Sequence, residues 1–367
     1  QKEVFEIRKA GLNILMSMKG DKKPVAFIED CAVSLEHLAD YTARLKEIFK
    51  KYGTSGMFYA HASVGTLHVR PVLNMKSDKD IQNMRSISEE AFEMVKDYKG
   101  SHSGEHGDGI VRSEFHEMMF GKKITNAFEE IKDTFDSKNL LNPGKIVRPF
   151  KSNDRSLMRY KSGYQTENID THYDWSSWGQ FSDAVEMCNN NGACRKLDSG
   201  VMCPSYRVTK EEKDLVRGRA NTLRLALSNQ LPEGSFVSKE MYETMELCVS
   251  CKACQRECPM SVDMAKMKSE FLSHYYKKFS MRIKDRVISD MPRLIWLLKI
   301  VAPIFNKVKN LPLISTIVEK FGFATARSMP EVQNQNALRE IYDSQTVSEN
   351  KVILFADTFN INFENEN

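Results

Sequence analysis

Seven of the eight cysteines in this 367-residue chain fall between positions 188 and 258. The run Cys248-Val-Ser-Cys251-Lys-Ala-Cys254-Gln-Arg-Glu-Cys258-Pro259 has the spacing C-x2-C-x2-C-x3-C-P. Three thiolates at that spacing wrap one corner of a [4Fe–4S] cube, and the fourth, turned away by the proline, ligates a second cluster. The second cluster needs cysteines of its own, and the sequence offers Cys188, Cys194 and, after a loop, Cys203-Pro204. Laid on the same pattern, this group has Asn191 where the middle thiolate belongs. The crosswise rule then gives Cys203, Cys248, Cys251 and Cys254 to a complete [4Fe–4S] site and leaves Cys188, Cys194 and Cys258 to a site one thiolate short. That site is read as [3Fe–4S], or as [4Fe–4S] whose fourth iron takes Asn191, water or another side chain. Zinc also accepts four thiolates, but zinc sites rarely carry the third two-residue step or the terminal Cys-Pro. Cys31, alone in an apolar stretch, reads as a small core residue.

A second constellation is built from imidazoles. His61-Ala-Ser-Val-Gly65-Thr-Leu-His68 sets two histidines across a glycine turn, and Gly104-Glu105-His106-Gly107-Asp108-Gly109 adds a carboxylate and a third imidazole. Borderline divalent ions such as zinc or manganese accept this donor set and keep a position open for substrate. The alternative is a pair of hydrogen-bonded strand histidines beside a glycine-rich loop. The glycines do not follow G-x-G-x-x-G, which argues against a dinucleotide loop.

The elements that must position these groups follow from periodicity. An apparent helix from Val4 to Met18 and an apolar run from Val25 to Ile28 come first, and then Leu35, Leu38, Leu45, Ile48 and Phe49 share one helical face. Strands at Met57–Ala60 and Leu67–Val72 flank the glycine turn, a helix runs from about Asp80 to Lys99, and another from Glu114 to Ser137 stops before Asn142-Pro143-Gly144. This β-α-β-β-α order predicts an α+β ferredoxin-like sandwich over residues 1–150. Residues 151–180 read as a polar linker, 181–275 as a mainly α-helical dicluster iron–sulfur domain with a basic helix from Glu211 to Ser228, and 276–350 as a helical extension. In that extension Pro292, Pro303 and Pro312 are expected to break a basic amphipathic stretch from Arg282 to Phe323. A strand expected at Val352–Phe355 would open a further domain at 351–367. Since the chain starts at Gln1 and stops soon after that strand, it reads as a fragment.

Composition narrows the partners. The net charge of +4, from 53 basic and 49 acidic residues, is spread along the chain and gives no nucleic-acid surface. Clustered cysteines without an export signal imply a reducing, cytoplasmic setting. No apolar stretch reaches the roughly 20 residues a bilayer span needs, although the basic amphipathic helices suit peripheral contact with the inner membrane.

Taken together, "HASVGTLHVRP", "SGEHGDGIVR" and "LNPGKI" resemble the C-terminal domain of FAD-linked oxidases of the D-lactate and D-2-hydroxyglutarate dehydrogenase type. Residues 181–275 resemble the iron–sulfur module fused behind it in large bacterial D-2-hydroxyacid dehydrogenases, and "VILFADTFNINFEN" is similar to the opening of the cysteine-rich domain that follows. The resemblance implies FAD, a divalent metal on His61, His68 and Glu105, a base at His106, Arg8 paired with the substrate carboxylate, and Asn142 in contact with the cofactor. It implies oxidation of a D-2-hydroxy acid to the 2-oxo acid, with electrons leaving through the clusters to a quinone or an electron-transfer protein. The alternative is a non-catalytic iron–sulfur electron-transfer subunit. Three of the family's features are missing: its FAD-binding domain is absent from these residues, an Asp in the turn after the first His is replaced by Val64 or its neighbours, and a lysine near Ile28 is gone, for which Lys19, Lys22 and Lys23 are the nearest substitutes.

Overall fold

The computed structural model describes residues 11, 13–198, 200–326, 328–333 and 357–364. Two compact units divide the chain, residues 1–275 and 276–367. The fold class is α+β.

In the first unit the centre is β4 (Thr66–Asn74), which is buried along most of its length. On one edge it pairs antiparallel with β3 (Gly56–His61), in a register that sets Tyr59 opposite His68 and His61 opposite Thr66. On its other edge lie β1 (Lys22–Pro24), opposite Val72–Asn74, and β2 (Cys31–Ala32), opposite Thr66 and Leu67. A single bridge joins Ala32 to Ser101 beyond them. Strand residues alternate faces, so Leu67, Val69 and Leu73 point one way and His68 and Arg70 the other. The apolar face is covered by α1 (Leu38–Lys51), through Tyr41, Leu45 and Phe49, and by α2 (Asp78–Asp97), through Met84, Ile87, Ala91, Phe92 and Val95. Ser77 caps α2 by accepting from the amide of Asp80 at 3.4 Å. Gly65 turns the β3–β4 hairpin at φ 72°, and a Cβ there would sit 1.9 Å from the Val33 carbonyl oxygen. Only glycine fits that approach.

Three elements differ from the sequence reading. The apolar run Val25–Ile28 lies in the gap between β1 and β2; Phe27 and Ile28 enter the core from irregular backbone that Asp30, at φ 80°, turns back toward β4. The helix expected over Glu114–Ser137 is split into α4 (His116–Phe120) and α5 (Lys122–Phe135), because Gly121 takes φ 81° and ψ 159°. Between Gly109 and Arg112 a short α3 precedes them.

Residues 151–180 contain only short turns, yet they are anchored. Trp175 is buried, and its Nε1, together with the amides of His172 and Tyr173, donates to the Glu270 carboxylate at 2.7–3.0 Å. The cysteine-rich part that follows is helical: α6 (Phe181–Glu186), α7 (Pro204–Thr209), α8 (Val216–Leu227), α9 (Lys239–Glu246), α10 (Ala253–Glu257) and α11 (Met264–Lys278). In the second unit, α12 (Ile283–Val308) runs straight through Pro292 and Pro303, contrary to the expected breaks. Each proline costs that helix one backbone donor, but neither ends it. Pro312 instead opens α13 (Pro312–Lys320), a position where its missing N–H is harmless. The strand expected at Val352–Phe355 lies outside the described residues, and so does most of the Val4–Met18 helix. Among the described residues, no helix is long and apolar enough to cross a membrane.

Candidate functional site

The two constellations read from the sequence occupy different parts of the first unit. Around Glu105, three imidazoles gather. The Nε2 atoms of His68, His61 and His106 lie 3.1, 3.3 and 3.4 Å from one oxygen, Glu105 Oε1. His61 and His68 come from the paired ends of β3 and β4, and Glu105 and His106 from the loop before α3. The ring of His68 stacks on that of His106 at 4.9 Å and tilts against Tyr59 at 4.7 Å. His68 is buried, while His61, His106 and Glu105 keep 41, 39 and 48% of their side chains exposed, so the group opens to solvent on one side. Burial, reinforced by His106, pulls the His68 imidazole below its ordinary pKa, which favours the neutral form that ligates metal. Imidazole nitrogens gathered round one carboxylate oxygen are a donor set that a divalent cation can take.

What holds this group in place was not visible in the sequence. His106 Nδ1 lies 3.2 Å from Glu29 Oε1, and Glu29 is held in turn by Arg70 at 2.6 Å; Glu29 and Arg70 are both buried. Arg70 shares the face of β4 that carries His68. Asp30, fully buried, accepts from the amides of Glu105 at 2.9 Å and His106 at 2.7 Å, and pairs with Arg112 at 3.3 Å. Glu29 therefore orients an imidazole and Asp30 shapes the loop that presents it. The only signal for them was an acid pair closing an apolar run.

Other sequence candidates lie elsewhere. Asn142 is exposed at φ 47°, with its amide oxygen 3.2 Å from Lys145 Nζ. Lys23 reaches the Met187 sulfur of the cysteine-rich part at 3.6 Å, and Lys19 lies over the Trp178 ring of the segment before it at 4.7 Å. Arg8 lies outside the described residues. Cys31 is buried in the core, where the loss of water pushes its thiol up to about 12.

Among the cysteines, Cys203, Cys248, Cys251 and Cys254 line one cavity together with Val216, Arg219 and Met264. Backbone amides point at two of the sulfurs, Val216 N at Cys203 Sγ (3.2 Å) and Met264 N at Cys254 Sγ (3.4 Å). Burial pushes these thiols up to about 12 and about 11 respectively. A buried thiol without a metal keeps its proton; a cluster takes the thiolate and the amides then stabilise it. Cys188 and Cys194 are buried outside that cavity, and each feels the charge of Cys258, which α10 carries away from its three neighbours. Left-handed backbone at Asn190, Cys203, Ser250, Lys252 and Ser261 curls the loops round both sets. The residues thus fit two clusters. Asn191 faces solvent, where its side chain bonds Asn189 at 2.6 Å and the amide of Ala193 at 2.8 Å. It is Asn190 whose amide oxygen approaches Cys188 Sγ, at 3.8 Å.

Comparison with known families matches both parts. Residues 1–146 match the C-terminal domain of FAD linked oxidases, and residues 184–262 match the 4Fe-4S dicluster domain. Part by part, the chain is thus similar to FAD linked oxidases and to 4Fe-4S dicluster proteins. Its relatives include proteins named D-2-hydroxyglutarate dehydrogenase from Escherichia coli, 30% identical over 90% of this chain and 36% of that protein, and from Pseudomonas putida, 30% identical over 98% of this chain and 40% of that protein. A D-lactate dehydrogenase of Archaeoglobus fulgidus is 32% identical over 36% of this chain and 29% of its own length. The chain thus spans well under half the length of these D-2-hydroxyglutarate dehydrogenases.

Proposed function

We propose that this chain is the substrate-side and electron-relay part of a dehydrogenase that oxidises a D-2-hydroxy acid, D-2-hydroxyglutarate or D-lactate, to its 2-oxo acid. The observation that carries the reading is the convergence of His61, His68 and His106 on one oxygen of Glu105, with the far nitrogen of His106 against Glu29. His61, His68 and Glu105 are the ligands for a divalent cation, zinc or manganese. His106 is the base. Its Nδ1–H donates to Glu29, itself fixed by Arg70, which leaves Nε2 on the open side to take the proton of the substrate hydroxyl. When bound, the flavin supplies a two-electron acceptor for the hydride at C2, and the clusters pass electrons on singly. Arg8 is the proposed partner of the substrate carboxylate and Asn142 a proposed cofactor contact. Cys203, Cys248, Cys251 and Cys254 hold one [4Fe–4S] cluster, and Cys188, Cys194 and Cys258 hold the other.

The strand order β3–β4–β1/β2, with the Ala32–Ser101 bridge at the outer edge, supports a ferredoxin-like sandwich whose last strand is reduced to one bridge. The names of the relatives favour the dehydrogenase over a non-catalytic electron-transfer subunit. The test uses a polypeptide extended upstream through an FAD-binding domain. His106→Ala should keep flavin and metal and lose on the order of 10² to 10⁴-fold in turnover, whereas His68→Ala should lose metal and activity together. Full-rate oxidation of D-2-hydroxy acids by the His106→Ala enzyme would overturn the assignment.

A further inference from the structure

We propose that His102, Asp108 and His116 form a second divalent-cation site, separate from the Glu105 group and suited to zinc. The two imidazoles face the two oxygens of one carboxylate: His102 Nε2 lies 3.7 Å from Asp108 Oδ1 and His116 Nε2 lies 3.3 Å from Asp108 Oδ2. One donor atom from each of the three residues lies within 4.8 Å of the others. The histidine side chains are 1 and 4% exposed, and neither Nε2 makes a hydrogen bond. Their walls are aromatic, with Phe92 and Phe120 against His102 and Phe128 against His116. No water-like partner is offered by such walls.

The tautomer sharpens the argument. His116 Nδ1 faces the Ile146 carbonyl at 3.3 Å, and a carbonyl only accepts, so Nδ1 carries the hydrogen and Nε2 of the neutral ring is a bare lone pair. A carboxylate is also acceptor-only. At His116 a lone pair aimed at a carboxylate lone pair calls for a cation between them, and His102 joins it in the tautomer that leaves its Nε2 bare. A ring whose outer N–H is fixed by a backbone carbonyl while its other nitrogen points inward is the usual setting of a ligating histidine. Two imidazoles and one carboxylate, with a position left for solvent, are a donor set zinc accepts. Asp108, 23% exposed, gives the ion a way in.

The site would tie the loop that presents Glu105 and His106 to α4. Its role is that of a structural clip, and it does not depend on the chemistry proposed for the Glu105 group. The competing account is a proton in place of the metal, with His116 as an imidazolium paired to Asp108.

The test is the zinc content of the whole chain, purified without oxygen, loaded with zinc and desalted, with iron counted separately by plasma mass spectrometry. The expected result is two zinc per chain in the wild type, one in His116→Gln, one in the His61→Ala/His68→Ala pair, and none when these are combined. Should His116→Gln fail to fold, Asp108→Asn keeps the shape and removes the charge; it should weaken one zinc by tenfold or more. In the His61→Ala/His68→Ala background, added zinc should raise the melting temperature, and adding Asp108→Asn should abolish that rise. A wild-type chain holding a single zinc that the His61/His68 pair removes, or a zinc count and melting response indifferent to His116→Gln and Asp108→Asn, would overturn the proposal. A single zinc removed by His116→Gln but untouched by the His61/His68 pair would support it and break the reading of the Glu105 group instead.

Discussion

The Glu105 group and the cysteine loops solve one problem, gathering several donors at a point, in opposite ways. Two of the three imidazoles, His61 and His68, stand on β3 and β4, whose register is fixed by backbone pairing over six residue pairs. Their arrangement is a by-product of the sheet. The cysteines stand on loops whose turns pass through left-handed backbone at non-glycine residues, a conformation that such residues adopt reluctantly. Side chains brace those loops, with Arg159 donating to the Cys188 carbonyl at 2.8 Å and Lys268 to that of Cys248 at 2.6 Å, and the bound group, on which the sulfurs converge, must do the rest of the holding.

The sharpest way to break this comparison is to remove the metal. Stripping iron and sulfide anaerobically should raise amide exchange across 188–203 and 248–262 toward that of unstructured chain, while the amides of β4 keep their protection. Equal loss in both regions, followed by hydrogen exchange and mass spectrometry, would mean that the cysteine loops and the sheet are one cooperative element.

Next in size is the anchor under the imidazole loop. Asp30→Ala leaves the buried Arg112 unpaired and strips the amides of Glu105 and His106 of their acceptor, at a cost of about 3–5 kcal/mol. Urea unfolding measures it, and a loss below about 1 kcal/mol would sink the claim that Asp30 organises the loop.

On the cysteine side the corresponding anchor is Glu270. Its burial alone would raise its pKa, but the donors from His172, Trp175, Tyr173 and His274 outweigh that and leave it lowered. A folded-state pKa below the unfolded value means the native chain binds that proton less readily. The stabilisation is therefore present above the unfolded carboxylate value of about 4.3 and fades as pH falls through the folded one. Glu270→Gln should flatten this part of the acid-unfolding curve and leave the neutral-pH stability lower; a curve unchanged below pH 5 would count against it.

The smallest effect separates two cysteines. In the cluster-free chain at pH 8, Cys251 is exposed and should react first with iodoacetamide, whereas Cys31, buried and pushed up to about 12, should stay unmodified until the chain unfolds. Peptide mapping reads this directly. Early labelling at Cys31 would mean that the core around β2 opens.

The same contrast explains what a reader of the sequence can see. The cysteine pattern is local: Cys248 to Cys258 declares its chemistry within eleven positions, and the crosswise partition follows from chemistry alone. His61 and His68 were legible because one hairpin turn joins them. Glu29 and Asp30 were not, since they meet His106 and Glu105 only after about 75 residues of intervening chain have folded. The split at Gly121 and the passage of α12 through Pro292 and Pro303 expose a further limit. Propensity marks where a helix would prefer to stop, and packing or a single φ angle decides whether it does.

Lys76, in the turn after β4, shows what joins the two regions. Its ammonium lies 2.6 Å from both Asp21 and Glu186, under the rings of Tyr160 and Tyr164, and Tyr164 bonds Glu186 in turn. Asp21, Asp183 and Glu186 by themselves resemble a cation site, and Lys76 is the cation. Glu186 stands two residues before Cys188, so this pin sets how far the first cysteine loop lies from the sheet that carries the imidazoles. Electron tunnelling falls off exponentially with the gap between donor and acceptor. In the proposed relay, a lysine with no redox role of its own therefore helps to fix a distance on which a rate depends.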